Sequence, residues 1–105
     1  MANTFKNYLR ANVSSNTVVF TTGSGVQTTV IGMTVANLTG APVTANVILH
    51  SSGVDYHIVK NATIAVGGSL VPIGGDQKLV MEAADTLAVS ASANCDVIAS
   101  VLEIS

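Results

Sequence analysis

The sequence predicts an all-β fold, a single antiparallel β-sandwich or jelly-roll-like domain over residues 17–105, preceded by a short N-terminal arm at residues 1–16. Three observations lead to this prediction. Val and Thr, which favour strands, are frequent, while the chain has 2 Pro and no Trp. Short apolar bursts alternate with glycine-containing turns, as expected for an antiparallel sandwich. With 105 residues, the chain is also long enough to bury one core without disulfides.

The strands are predicted from the spacing of the apolar bursts and their turns. The turns are marked by Gly23-Ser-Gly25, Gly40, Gly53, Gly67-Gly68 and Gly74-Gly75. The predicted strands cover residues 17–22, 27–37, 42–50, 54–60, 62–66, 69–73, 77–82, 86–92 and 95–104.

One hairpin can be predicted residue by residue. A two-residue turn at Ser52-Gly53 would join the strands on either side of it. The register would then pair His50 with Asp55, Leu49 with Tyr56, Ile48 with His57, and Val47 with Ile58. One face of this hairpin would carry Val47, Leu49, Tyr56 and Ile58, which is the pattern of a core stripe.

The last predicted strand is apolar on both of its faces. Val97 and Val101 fall on one face, and Ile98, Leu102 and Ile104 fall on the other. Such a strand is either central in a sandwich or meets a second chain on one face. We therefore expect these five residues to take part in subunit packing.

The N-terminal arm combines aromatic and basic residues. Phe5, Tyr8 and Leu9 have the i, i+3, i+4 spacing that places side chains on one face of a helical turn, and Lys6 and Arg10 flank that face. Two interpretations remain open. The aromatic residues fold back onto the domain, or all five residues dock on a neighbouring subunit, where the two basic groups would meet acids.

The distribution of charge argues for assembly and against several other functions. No Asp, Glu, Lys or Arg occurs from Ala11 to Val54, so the outer strand faces there are polar without charge and are easily dehydrated. Four basic residues in a chain of net charge −2 are poorly suited to binding nucleic acid. No apolar run is long enough for a membrane helix, and no signal peptide is recognised. The single Cys95 excludes an internal disulfide and is expected in the core.

The sequence predicts no catalytic residue, no bound cofactor and no metal site. His50, Asp55 and His57 form the one cluster that resembles a proton relay or a ligand set, but a surface His–Asp pair accounts for it equally well. The stretch Gly74-Gly75-Asp76-Gln77-Lys78 lacks the glycine spacing of a phosphate-binding loop and is interpreted as a tight turn. We therefore expect that the protein is not an enzyme.

Several segments resemble a widespread group of small virion proteins of tailed bacteriophages. These segments are Val30-Ile-Gly-Met-Thr-Val-Ala-Asn-Leu-Thr-Gly-Ala-Pro-Val-Thr44, Tyr56-His-Ile-Val-Lys60, Ile73-Gly-Gly-Asp-Gln-Lys-Leu-Val80, Asp85-Thr-Leu-Ala-Val89 and Val97-Ile-Ala-Ser-Val-Leu-Glu-Ile104. The resemblance covers residues 17 to 105 and concerns the order of strands and turns. It implies a β-sandwich without enzymatic activity that is present in many copies.

The resulting expectation is a capsid decoration (cement) protein of the virion, assembled in the host cytoplasm. Its expected partners are its own copies, with a homotrimer as the expected oligomer, and the major capsid protein or other virion proteins. Neither nucleic acid nor membrane is an expected partner. The main alternative is an accessory protein of the tail, neck or baseplate. A carbohydrate-binding module is a more remote alternative, because the chain has no Trp for stacking on sugars. An enzyme that uses His50, Asp55 and His57 is the third.

Overall fold

The computed structural model describes residues 3–74 and 77–105. Within these ranges the chain forms nine strands and no helix. The strands are β1 (Asn3–Val13), β2 (Thr17–Thr21), β3 (Gln27–Asn37), β4 (Val43–Ser51), β5 (Val54–Ile64), β6 (Ser69–Ile73), β7 (Leu79–Met81), β8 (Thr86–Ala91) and β9 (Cys95–Ile104). Residues 1–2 and 75–76 lie outside the described residues. The first two belong to the predicted arm, and the other two belong to the predicted tight turn at Gly74-Gly75-Asp76-Gln77-Lys78.

The strands form two antiparallel sheets that pack face to face. Sheet I has the order β1-β9-β3-β6, with β7 also paired to β3, and sheet II has the order β2-β8-β4-β5. The three-residue β7 aside, the first strand pairs with the last, the second with the next to last, and so on inwards to β4 with β5. The chain is thus one long antiparallel hairpin that wraps so that β9 meets β3 and β8 meets β4. This arrangement is a jelly roll, and the predicted all-β sandwich is confirmed.

The core lies between the two sheets and is filled mainly by alternate residues of the inner strands β3, β4, β8 and β9. Its largest fully buried side chains are Met33, Ile73, Met81, Leu87, Val19, Val30, Val35, Val43, Val47, Val89, Val97 and Val101. The lone Cys95 is buried among them, as expected from its sequence context. Burial raises the pKa of the Cys95 thiol, and the nearby charge of Asp96 raises it further.

The predicted hairpin forms with a two-residue turn. Ser52 and Gly53 both have positive φ, 51° and 78°, which is the backbone of a type I′ turn. The pairs His50–Asp55, Leu49–Tyr56 and Ile48–His57 are confirmed. The fourth pair is wrong, because a register shift between Val47 and Ile48 places Val59, not Ile58, opposite Val47.

The predicted core stripe also fails at Tyr56. Leu49 packs against the core, but its cross-strand neighbour Tyr56 lies on the edge strand β5 and is 56% exposed. Separate strands predicted at 54–60 and 62–66 are one continuous strand, β5. Asn61 interrupts its register with a φ of 54°, a left-handed conformation that Asn tolerates, and its N–H donates to the Asn46 Oδ1 at 2.8 Å.

The helical turn expected in the N-terminal arm is wrong. Residues 3–13 form β1, an edge strand of sheet I that pairs with β9. A single helical turn leaves most of its main-chain groups without partners inside the segment. Pairing with β9 instead bonds the main chain of this segment along its length, and strand alternation separates Phe5 and Leu9 from Tyr8.

Candidate assembly interface

The five residues predicted to dock on a neighbour are divided between the two faces of β1. Phe5 lies opposite Leu102, and Leu9 lies opposite Ile98, so these apolar side chains share the outer face of sheet I. Lys6, Tyr8 and Arg10 alternate with them and lie on the other face, towards sheet II. Of the five predicted arm residues, the structure therefore brings only Phe5 and Leu9 together with the outer residues of β9.

Tyr8 fastens β1 to the second sheet. Its ring stacks on Phe20 of β2 with a centroid distance of 4.4 Å and an interplanar angle of 7°. The Tyr8 hydroxyl donates a hydrogen bond to Glu103 at the end of β9. Burial raises the pKa of Tyr8 to about 12, and the hydrogen bond and negative charge of Glu103 act in the same direction. For Tyr8, the structure thus matches the interpretation in which the aromatic residue folds back onto the domain.

The two basic residues of β1 also contact their own chain. The Lys6 Nζ lies 3.5 Å from the Glu103 Oε1. The Arg10 Nε donates to the Val18 carbonyl at 3.0 Å, and its Nη1 donates to the Leu9 carbonyl at 2.9 Å. In all three contacts the basic side chain is exposed, so it can exchange partners at little free-energy cost.

Glu103 is the residue that the sequence analysis missed. It is an acid among the apolar residues Val101, Leu102 and Ile104 at the end of β9, and it contacts both Tyr8 and Lys6. Its isolation in an apolar strand is a signal that it has a partner within the fold, because a half-buried carboxylate needs one. The identity of that partner depends on the pairing of β1 with β9, which is distant in sequence.

The outer face of sheet I carries most of the exposed apolar side chains of β1 and β9. Phe5 is 75% exposed, Leu9 55% and Ile98 47%. Leu102 and Ile104 are half-buried on the same face. Val71 and Val80 are exposed at the opposite margin of sheet I. On this face Thr29 and Thr34 of β3 lie between the residues of β9 and the opposite margin, so the exposed apolar side chains form separate groups with uncharged polar residues between them.

The prediction of subunit packing is corrected for two residues of β9. Val97 and Val101 are each 1% exposed and belong to the core of their own chain, so they cannot contact another subunit. Strand alternation sends them inward and sends Ile98, Leu102 and Ile104 outward. The packing prediction therefore remains for these three residues only.

The cluster of histidines lies on the outer face of sheet II. The His50 Nδ1 lies 2.5 Å from the Asp55 Oδ1, and both side chains are exposed. A shallow cavity of about 420 Å³ adjoins this pair and is lined by Asn16, Val18, Ile48, Thr86 and Ala88. Across the part of the chain that the structure describes, no three His, Cys, Asp or Glu side chains are grouped so that they could hold a metal ion. The pair is a cross-strand surface contact, as the predicted register implies.

The comparisons with known proteins identify no relative. No protein-family model, no curated protein and no solved structure matches the chain. Residues 3–74 and 77–105 include no helix that is long and apolar enough to cross a membrane. What the chain does is therefore inferred from its own surfaces.

Proposed function

We propose that the chain is a structural protein of a tailed bacteriophage particle, without enzymatic activity, and that it serves as a capsid decoration (cement) protein. The observation that carries this proposal is the exposure of Phe5, Leu9 and Ile98 on the outer face of sheet I, which carries little charge. A group of exposed large apolar side chains on one face is typical of a site that another protein covers.

The chemistry of this face suits a permanent contact. On the described strands of sheet I, the one charged side chain on this face is Asp96, at the far end of β9. The remaining side chains are apolar or carry hydroxyl and amide groups. The free-energy cost of removing these polar groups from water is smaller than that of removing a charged group. Full burial of a side chain such as Phe or Leu contributes about 1.5–3 kcal/mol. Repeated over many copies, contacts of this kind would hold a shell together.

The test uses purified particles of the phage that encodes the chain. We expect the wild-type chain to be bound in a copy number comparable to that of the major capsid protein, and Ile98→Asp to abolish binding, because a carboxylate would enter the buried face. The matched control is Val54→Asp, since Val54 is exposed to a similar extent, 48%, but lies on β5 of sheet II.

Point substitutions are preferable to deletion of residues 1–12. The deletion would remove β1 and uncover Phe20, so a loss of binding would not distinguish docking from unfolding. If each particle contains only as many copies as form one small ring, the chain belongs to the tail, neck or baseplate. Particles that lack the chain altogether would overturn the proposal.

A further inference from the structure

The edges of the two sheets differ in how well they are protected. An edge strand presents unpaired N–H and C=O groups that can pair with another strand, and proteins block this with Pro, bulges, charges or short strands. At the far edge of sheet I, β6 contains Pro72 and β7 has three residues. In sheet II, β2 has five residues and a register break, and β5 has the irregularity at Asn61.

By contrast, β1 has no Pro, and it has no register break over most of its length. Residues 3–10 pair with β9 without a register break, and the irregularity follows only between Arg10 and Val13. The Lys6 side chain turns towards Glu103. The Arg10 side chain bonds the Val18 carbonyl and one carbonyl of β1, that of Leu9, so the two basic side chains occupy at most one acceptor of the open edge. Among the edges that the structure describes, β1 is the long and regular one.

We infer that β1 is a self-pairing edge: the β1 strands of two copies join antiparallel about a two-fold axis through Asn7, so that their two sheets I become one continuous sheet. In this register Phe5 faces Leu9 of the second copy, Lys6 faces Tyr8, and Thr4 faces Arg10. This inference deepens the proposed function and rests on it, because it specifies how copies join. It gives a dimer where the sequence predicted a trimer.

The first argument for this register is the alignment of apolar residues. Within one chain, Ile98 lies beside Leu9, and Leu102 lies beside Phe5. With Asn7 at the axis, each row continues into the second copy. One row then runs from Ile98 to Leu9 in the first copy and on to Phe5 and Leu102 in the second. Two such rows flank a central polar row of Ser100 and Asn7 from both copies. Cross-strand apolar pairs of this kind stabilise sheets.

The second argument is charge. Moving the axis to Tyr8 would place Lys6 directly opposite Arg10, and moving it to Lys6 would place two lysines opposite each other. Like charges in directly opposite positions destabilise a sheet. With the axis at Asn7 neither pair occurs, and Arg10 falls in the same row as Thr4 and Glu103 of the second copy, with an opposite charge at its end.

The third argument is the extent of the contact. Two antiparallel segments covering residues 3–11 form about nine main-chain hydrogen bonds. A typical protein–protein interface has roughly ten direct hydrogen bonds. The β1 edge is therefore long enough to supply a full set without any other element.

The experiment compares two double variants that differ only in the sign of the charge at position 9. In the proposed register position 5 faces position 9 of the second copy, whereas within one chain the two positions are about 13 Å apart along the strand. Phe5→Lys with Leu9→Lys creates two repulsive pairs, and Phe5→Lys with Leu9→Glu creates two attractive pairs. We expect the Lys/Glu chain to dimerise about 30-fold more tightly than the Lys/Lys chain at low salt. Sedimentation velocity over a concentration series measures this difference.

The controls separate the dimer from the fold and from the proposed function. Val71→Lys and Val80→Lys alter exposed positions at the opposite margin of sheet I and should leave the dimer unchanged. Circular dichroism confirms that each variant is folded. A monomeric or trimeric wild-type chain, or equal dimerisation of the Lys/Lys and Lys/Glu chains, would overturn the inference. A monomer that still coats particles would leave the proposed function intact, whereas a dimer that is absent from particles would remove that function alone.

Discussion

Asn37, at the end of β3, ties the two sheets together through a buried amide. Its Nδ2 donates to the carbonyl oxygens of Ala41, Ile64 and Ala65, at 2.8, 3.1 and 3.3 Å. Its Oδ1 accepts from the N–H and the hydroxyl of Thr39, both at 2.8 Å. Ile64 belongs to sheet II, so this one side chain fixes the loop after β3 and joins the ends of strands from both sheets.

The variant Asn37→Ala should be strongly destabilised. The Asn37 amide has two hydrogens and two lone pairs, so its five contacts amount to about four full hydrogen bonds. A hydrogen bond in a folded protein contributes about 1 kcal/mol net, and buried partners left without one cost at least as much. We therefore expect the free energy of unfolding to fall by about 3–4 kcal/mol. For a domain of this size, the melting temperature should fall by roughly 12–16 °C.

Urea denaturation followed by circular dichroism measures this loss. Asn37→Asp should be at least as damaging, because a carboxylate would face three carbonyl oxygens in place of the donating amide. The matched control is Asn94→Ala, since the Asn94 side chain is exposed and should matter by about 0.5 kcal/mol or less. A loss below about 1 kcal/mol for Asn37→Ala would refute the assignment of Asn37 as a link between the sheets.

Three further predictions concern backbone strain and pH. Ala84 has a φ of 70°, so Ala84→Gly should raise the free energy of unfolding by about 0.5–1 kcal/mol in the same urea assay; a decrease would contradict the strain. The variant Tyr56→Phe leaves Tyr8 as the single tyrosine. In this variant the absorbance of tyrosinate should appear with a midpoint near pH 12 rather than near pH 10.0. A midpoint near pH 10.0 would be inconsistent with burial of Tyr8 against Phe20. Because the pKa of Tyr8 is raised on folding, its stabilising contribution should be complete below pH 10 and lost as the pH rises towards 12, and Tyr8→Phe should lack this alkaline loss.

The features that the sequence predicts correctly depend on neighbours along the chain. The Ser52-Gly53 turn and the two-faced pattern of β9 follow from local turn chemistry and from alternation over a few residues. The exposure of Tyr56 and the partner of Val47 do not, because they depend on an edge position and on a register shift.

The strand β1 illustrates the same limit at the candidate interface. Its residues are mostly polar, and the spacing of Phe5, Tyr8 and Leu9 fits a helical turn as well as a strand. What decides between them is β9, which supplies hydrogen-bond partners from the other end of the sequence. The outward positions of Phe5 and Leu9 could therefore be assigned only once this pairing was known.

The pairing of β1 with β9 has a consequence for how the chain folds during synthesis. Asn3 lies opposite Ile104, so β1 is synthesised before the other strands of the domain but gains its partner only after β9 has been synthesised. Contacts so distant in sequence make folding slow, since a large loop must close before they form. Until β9 is available, the segment that carries Phe5 and Leu9 has no strand to pair with and is not extended as β1. A self-pairing edge would consequently form only in chains whose β9 has been synthesised, and chains without β9 could not join the assembly through β1.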